Sequence, residues 1–260
     1  MVYKNKKIIK DYYNDLAKKY WLKIPQRYGK NIITTFYDMR EKSIVKRLVV
    51  VKKNDLVLDL CSGPGRWILE YYNRRATVLA LDISSEVLRS SMEKLKTSNY
   101  DKEKIQFIIA DAENTPFIDD AFNIINCFDA FPHFPNKEKA LLEMKRTTKK
   151  QGIIVFEPSN MYSLIGVGIY IIRSFNKFLK RLNLKTPIWT TAWNEYDKIS
   201  NIYEFVKLVE LRIKYMRGVL IIPPFSIFTL NLFYKLEEKL DTSYGFNVLG
   251  SRIVFICKKL

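Results

Sequence analysis

Short apolar runs alternate with helical spacings along the middle of the chain, and several of the runs close on an acid. Residues 56–60, 77–81 and 105–110 are dense in leucine, isoleucine, valine and alanine, as strands covered on both faces are, and they carry Asp59, Asp82 and Asp111 at or just past their ends. Between them, 67–72 and 86–96 have helical spacing, with Ser84 or Ser85 placed to cap the second helix. A fourth strand is predicted over 122–128, a helix over 137–149 and a fifth strand over 152–157. Ahead of this unit, Ile9, Tyr12, Tyr13, Leu16, Ala17 and Tyr20 recur at helical spacing within 6–21, and a second helix is expected over 31–49 after a loop around Pro25. Both helices are candidates for a cap over the mouth of the unit, although such a stripe also serves as an ordinary packing face. Beyond the unit, 161–172 is an apolar run interrupted by Gly166 and Gly168, and 173–185 is basic. A helix is expected over 195–209, a strand over 209–222, a helix over 225–240 and a last strand over 251–258.

With 260 residues and 48% hydrophobic content the chain can bury one substantial core, so one domain is expected. It divides into an N-terminal helical cap (1–50), a ligand-binding core (51–158) and a substrate-side portion (159–260). The first residues are lysine-rich and lack the apolar core of an export signal, which points to the cytoplasm. Cys61, Cys127 and Cys257 are widely spaced in apolar surroundings with no paired-cysteine motif, so reduced core residues are expected and no metal site is predicted.

The net charge of +17 is unevenly placed. Residues 1–55 carry 15 Lys/Arg and 5 acids, 56–158 carry 14 and 15, and 159–260 carry 15 and 7. A neutral middle between basic flanks suits nucleic acid, an anionic membrane surface or a phosphorylated substrate, and equally a solvated lysine-rich surface. The apolar stretch 219–233 contains Pro223 and Pro224 and is shorter than the roughly 20 residues a membrane span needs.

Candidate chemistry centres on the turn Cys61-Ser62-Gly63-Pro64-Gly65 after the first strand. Gly63 and Gly65 permit backbone angles and close approach that a Cβ would forbid. The place of the third glycine in a dinucleotide fingerprint is held by Ile68, which argues against a pyrophosphate site. Asp59 at the strand's end suits a cationic ligand better. Asp82 lies 17 positions beyond Gly65, where nucleotide-binding units place the acid that accepts hydrogen bonds from ribose hydroxyls.

Residues 57–67, 80–88 and 109–117, in this order and spacing, resemble the class I S-adenosylmethionine-dependent methyltransferases. The likeness is greatest to the small-molecule branch that contains the ubiquinone and menaquinone C-methyltransferases. It continues through 122–128, Phe131-Pro132-His133-Phe134-Pro135 and the fifth strand, about a hundred residues in all. The resemblance implies an α/β fold: a Rossmann-like, seven-stranded mixed sheet with helices on both faces, an N-terminal helical cap and a helical insertion after the fifth strand. It implies S-adenosyl-L-methionine as cofactor. Asp59 and the turn Cys61, Ser62, Gly63 and Gly65 would approach the methionine moiety, Asp82 would hold the ribose, Asp111 and Ala112 would meet the adenine, and Ile83 and Phe128 would also bind the cofactor. Two positions depart from the family: Cys61 replaces its first glycine, which narrows the space beside the cofactor, and Asn123 replaces an Asp, which affects local structure.

Methyl transfer from a sulfonium needs alignment and exclusion of water, and it needs a base only when the nucleophile arrives protonated. His133, the one histidine, follows the fourth strand and is the candidate base, or a packed residue with one hydrogen bond. Tyr12, Tyr13 and Tyr20 are candidates for orienting the acceptor. A small, lipophilic acceptor (a lipid, an isoprenoid quinone or a lipid-linked glycan) is the expectation, with peripheral contact to an anionic membrane. An RNA methyltransferase is the alternative, because basic flanks suit RNA, but the Asn/Asp-Pro-Pro-aromatic pattern of many base-methylating relatives is missing from 128–132. A non-catalytic S-adenosylmethionine-binding protein is the third reading.

Overall fold

In the computed structural model, residues 5–21, 32–96, 98–182, 196–221, 229–240 and 246–260 are described. Seven strands form one sheet: β1 (Leu56–Leu60), β2 (Thr77–Asp82), β3 (Ile105–Ile109), β4 (Phe122–Cys127), β5 (Thr148–Phe156), β6 (Leu211–Val219) and β7 (Arg252–Lys259). Their order across the sheet is β3-β2-β1-β4-β5-β7-β6. The first five pair in parallel, and β7 runs antiparallel between β5 and β6. The chain reverses direction across the sheet between β1 and β4, so the carboxyl ends of these strands flank a crevice where such sheets bind ligands. This is the Rossmann-like mixed sheet that the resemblance implied.

The helices are α1 (Lys6–Leu16), α2 (Ile32–Leu48), α3 (Ile68–Tyr72), α4 (Ser85–Leu95), α5 (Lys137–Thr147), α6 (Leu164–Arg181), α7 (Ile199–Leu208) and α8 (Leu230–Leu240). Their apolar faces cover both sides of the sheet. On one side Leu58, Leu60, Ile125, Ile154 and Phe255 pack with Leu141 and Met144 of α5 and Val206 of α7. On the other, Val57, Val78, Ile124, Val155 and Ile256 pack with Phe36 and Ile44 of α2 and Leu88 of α4. Strand residues alternate between the two clusters, which is why the inner runs look uniformly apolar in sequence. Cys127 and Cys257 lie in the core, Cys61 is half-buried, and all three are free thiols.

One expectation needs correction. The fifth strand starts at Thr148, not at 152: Thr148 Oγ1 donates to the Met144 carbonyl at the end of α5, Gln151 takes a positive φ of 65°, and pairing with β4 resumes after a bulge. The helical insertion expected after the fifth strand is α6, which takes up the apolar run from Leu164 on and continues into the basic segment. Gly166 does not break it, because a Cβ there would lie 2.3 Å from the Asn160 carbonyl oxygen; the glycine lets the helix approach the body of the protein. Asn123 has the local role expected of it, accepting hydrogen bonds from Leu56 N–H at 3.0 Å and Lys149 Nζ at 3.1 Å.

The C-terminal elements are tied to the N-terminal half by a buried charge pair. Arg40 of α2 and Glu237 of α8 are both buried, with Nε and Oε2 3.4 Å apart. The Glu237 carboxylate also accepts the Leu220 N–H and, at 2.5 Å, the Ile221 N–H past the end of β6. Removing one partner of a buried pair leaves an uncompensated charge. Arg40→Met is therefore expected to cost about 3–5 kcal/mol of stability, seen as a lower denaturant midpoint; an unchanged midpoint would show that α8 is not anchored by this pair.

Candidate active site

The acids at the strand ends meet around a cavity of about 350 Å³ at the carboxyl edge of the sheet. The first strand delivers Asp59, whose Oδ1 accepts Asn126 Nδ2 at 2.8 Å, and Asn126 in turn accepts the Tyr71 hydroxyl at 2.9 Å. All three side chains are buried, so the chain of bonds fixes which way the carboxylate faces. Asp59 Oδ2 has no hydrogen-bond partner, and neither do Ser62 Oγ and Trp67 Nε1, which also belong to lining residues. Burial pushes the Asp59 carboxyl up to about 7, against the stabilising bond from Asn126.

After β1 the chain turns through Cys61 (φ 56°), Gly63 (φ 55°) and Gly65 (φ 80°). A left-handed cysteine is strained, which explains why glycine is the family residue at position 61. Cys61, Ser62 and Gly63 line the cavity, whereas Gly65 does not; its missing Cβ makes room for Ile68 and Ser91 at 3.1 and 3.2 Å. Gly65 thus packs between the turn and α4 and is not among the residues that line the cavity. Asp82 ends β2 with Oδ2 accepting Gly63 N–H at 3.1 Å and Oδ1 accepting Ser84 N–H at 3.0 Å. Burial raises its carboxyl to about 6. Ser84 then caps α4 by accepting Val87 N–H at 3.2 Å.

Asp111, past the end of β3, lines the same cavity with Ala112 and Glu113, but its oxygens are engaged. Oδ1 accepts Glu113 N–H, and Oδ2 pairs with Lys6 Nζ of α1 at 2.5 Å, while Glu113 takes Lys6 at 2.7 Å. Lys6 and the bond from Ser84 Oγ to Asn14 Oδ1 at 2.6 Å fasten α1 across the opening, with Ile9, Tyr13 and Leu16 as cavity wall. Sequence reasoning named Tyr13 but missed Lys6, which looked like one lysine among many. Tyr13 packs edge-on against His133 with centroids 5.9 Å apart. Tyr12 does not line the cavity and instead packs edge-on against Tyr13. The side chain of Tyr20 lies outside the described residues.

Beyond Phe128, which stacks on Trp67 with centroids 4.5 Å apart, the cavity reaches a cluster of charges. Asp129 pairs with Arg252 Nη1 and, at 3.1 Å, with Arg66 Nη2. Arg66 also meets Glu41 at 2.6 Å, and Arg252 meets Glu41 and Glu157 at 3.4 Å each. Arg252 lies over the Tyr37 ring at 4.1 Å, and Arg66 over the Trp67 ring at 5.1 Å. Burial raises the Glu41 and Glu157 carboxyls, and the arginines oppose it. None of this cluster was foreseen, although Asp129 follows the fourth strand as the other acids follow theirs.

The methyltransferase-domain family profile matches residues 51–206. The chain belongs to the class I S-adenosylmethionine-dependent methyltransferases. An uncharacterized protein of Methanocaldococcus jannaschii is 29% identical over 76% of this chain and 71% of its own length. A demethylmenaquinone methyltransferase of Thermotoga maritima is 28% identical over 51% of this chain, and the match spans 57% of that enzyme. In fold, the chain is similar to magnesium protoporphyrin IX methyltransferase of Synechocystis with bound S-adenosylhomocysteine, at a TM-score of 0.68 and 14% identity over 98% of this chain and 99% of that one.

The residues of this methyltransferase fit its cofactor. An amino acid end that carries both an ammonium and a carboxylate needs an acceptor and donors, and the unpartnered Asp59 Oδ2, Ser62 Oγ and Trp67 Nε1 are of those kinds. Asp82, aimed by two backbone N–H groups, suits vicinal ribose hydroxyls. A charge-assisted hydrogen bond contributes roughly 1.5–3 kcal/mol, so Asp82→Ala is expected to weaken S-adenosylhomocysteine binding by about tenfold to a hundredfold in a calorimetric titration. Equal affinity would remove Asp82 from the site.

Proposed function

We propose that this methyltransferase transfers a methyl group to a small, lipophilic acceptor carrying a polar head, such as a lipid, an isoprenoid quinone or a lipid-linked glycan. One observation carries the reading: beside the three-acid cofactor half, the same cavity has a wall of Ile9, Tyr13, Leu16, Phe128 and Phe134 that ends at Asp129, His133 and Arg252. An apolar wall with a few polar groups at one end suits an amphiphilic ligand. The similarity to a demethylmenaquinone methyltransferase supports the same class, and an anionic membrane is the proposed source of the acceptor.

The cofactor supplies the activated methyl as an electrophile. Tyr13 and Leu16 of α1 close the cavity and keep water from the reacting atoms. Asp129, held by two arginines, is a fixed hydrogen-bond acceptor for an acceptor hydroxyl. His133, in edge-on ring contact with Tyr13, takes the proton when the nucleophile arrives protonated. Burial raises the Tyr13 phenol, so it stays neutral and acts only as wall or donor.

Methyl-labelled S-adenosylmethionine, offered with a demethylated isoprenoid naphthoquinol, membrane lipid extract or bulk tRNA, tests this reading. Label is expected in the organic phase. Label in RNA would install the RNA methyltransferase, and no transfer to any acceptor alongside intact cofactor binding would leave a cofactor-binding protein. With an accepted substrate, His133→Ala is expected to lower kcat by about 10²–10⁴ while leaving S-adenosylhomocysteine affinity within twofold. Normal turnover with a lower melting temperature would make His133 a packing residue.

A further inference from the structure

The apolar face of α6 points the wrong way for an ordinary surface helix. Leu164, Val167, Ile171, Ile172, Phe175, Phe178 and Leu182, at its end, fall on one side by helical spacing and are 43–74% exposed. The side turned to the protein carries Gly166 and Asn176, both buried, Ile165, which packs against the core, and Arg173, whose guanidinium lies 5.9 Å from the Tyr196 ring centroid. A helix that packs by burying its apolar stripe would be rotated by roughly half a turn from this one.

The rotation is fixed at the helix start. Ser163 Oγ accepts Gly166 N–H at 2.9 Å and donates to the Asn160 carbonyl at 2.9 Å, capping the first turn. Gly166 presses on the Asn160 and Met161 backbone so closely that any Cβ would collide with it. Asn160 in turn donates from Nδ2 to the carbonyls of Val248 at 2.6 Å and Gly250 at 2.9 Å. That places exposed Tyr162, Val248 and Leu249 beside the N-terminal end of the stripe and extends the patch past the helix.

We propose that α6 lies flat in the headgroup layer of an anionic lipid surface, with this stripe inserted, and so holds the enzyme where a lipophilic acceptor resides. This deepens the acceptor reading and rests on it. Charge selects the occupant: residues 158–194 contain five Lys/Arg and no Asp or Glu, in a chain of net charge +17. Lys177 and Arg181 are exposed along the edge of the stripe, where a helix in the interface keeps its cations among lipid phosphates. A second copy of α6 offers these cations no acid. Spanning is excluded as well, since among the described residues no helix is long and apolar enough to cross a membrane.

Co-sedimentation with vesicles of phosphatidylcholine alone and of phosphatidylcholine with 30 mol% phosphatidylserine (about one anionic lipid in three, enough for the surface attraction) is the test. The full chain is expected to bind the anionic vesicles more than about tenfold better than the neutral ones. Ile171→Ser/Phe175→Ser/Phe178→Ser and, separately, Lys177→Glu/Arg181→Glu are each expected to lose about tenfold or more of that binding. These positions are solvent-exposed, so both variants are expected to keep wild-type melting temperature and S-adenosylhomocysteine affinity. Anionic-vesicle binding that survives both variants, or wild-type protein that binds no vesicles, would overturn the proposal. So would a wild-type dimer that the triple serine variant converts to monomer, because a second copy would then cover the stripe. Loss of vesicle binding with intact labelling of a detergent-solubilised acceptor separates failure of the docking step from failure of the acceptor reading, in which labelling fails even in detergent.

Discussion

The site is organised by a carboxylate that the fold buries without a countercharge in contact. Asp59, near the end of β1, is held by Asn126, which Tyr71 holds in turn, and one oxygen is left without a donor. Its native value, about 7, lies above the ordinary carboxylate range because of burial. A group raised in this way favours the fold fully below its unfolded value and loses that contribution as pH rises through its native one, so without cofactor the cost of Asp59 builds up from about pH 4 and is fully present above about pH 7. A cation placed against Oδ2 reverses this. The fold is thus tuned for a ligand with a positive end at the carboxyl edge of β1.

Each neighbour of that carboxylate extends the same logic. The turn after β1 avoids side-chain bulk at Gly63, and the Gly63 N–H orients Asp82. Lys6 and Asn14 hold α1 across the opening by contacts to Asp111, Glu113 and Ser84, all on the loops that follow β2 and β3. Closure of α1 therefore depends on the same strand ends that line the cavity. At the far end, Arg66 and Arg252 balance Asp129, Glu41 and Glu157 in a cluster that joins α2, the first turn, β4, β5 and β7. The cluster makes this part of the cavity polar, while Ile9, Tyr13, Leu16, Phe128 and Phe134 give it apolar wall.

The sheet was readable because parallel strands covered on both faces leave dense apolar runs, and because Asp59, Asp82 and Asp111 end those runs at regular intervals. The turn chemistry was local and could be read from Gly63 and Gly65, though sequence could not separate the lining glycine from the packing one. The charge cluster was hidden since Glu41, Asp129 and Arg252 meet only in space; Asp129 and Arg252 are 123 positions apart. Helix α6 is the helical insertion expected after the fifth strand, but its glycines do not read alike in sequence: Gly166 marks a close backbone approach and Gly168 meets nothing within 4 Å. Its outward apolar face has no signature in a periodicity, which gives the stripe but not the side on which the protein lies.

Proton release on cofactor binding tests the central claim most directly. At pH 6.5 the Asp59 carboxyl is expected to be largely protonated in the free enzyme, while the cofactor's amino group is already an ammonium. Titration calorimetry in two buffers of different ionisation enthalpy is predicted to report release of a large fraction of one proton on S-adenosylmethionine binding, fading above pH 8 and reduced in Asp59→Asn. Tight binding with no proton release at pH 6.5, or a release untouched by Asp59→Asn, would contradict the account.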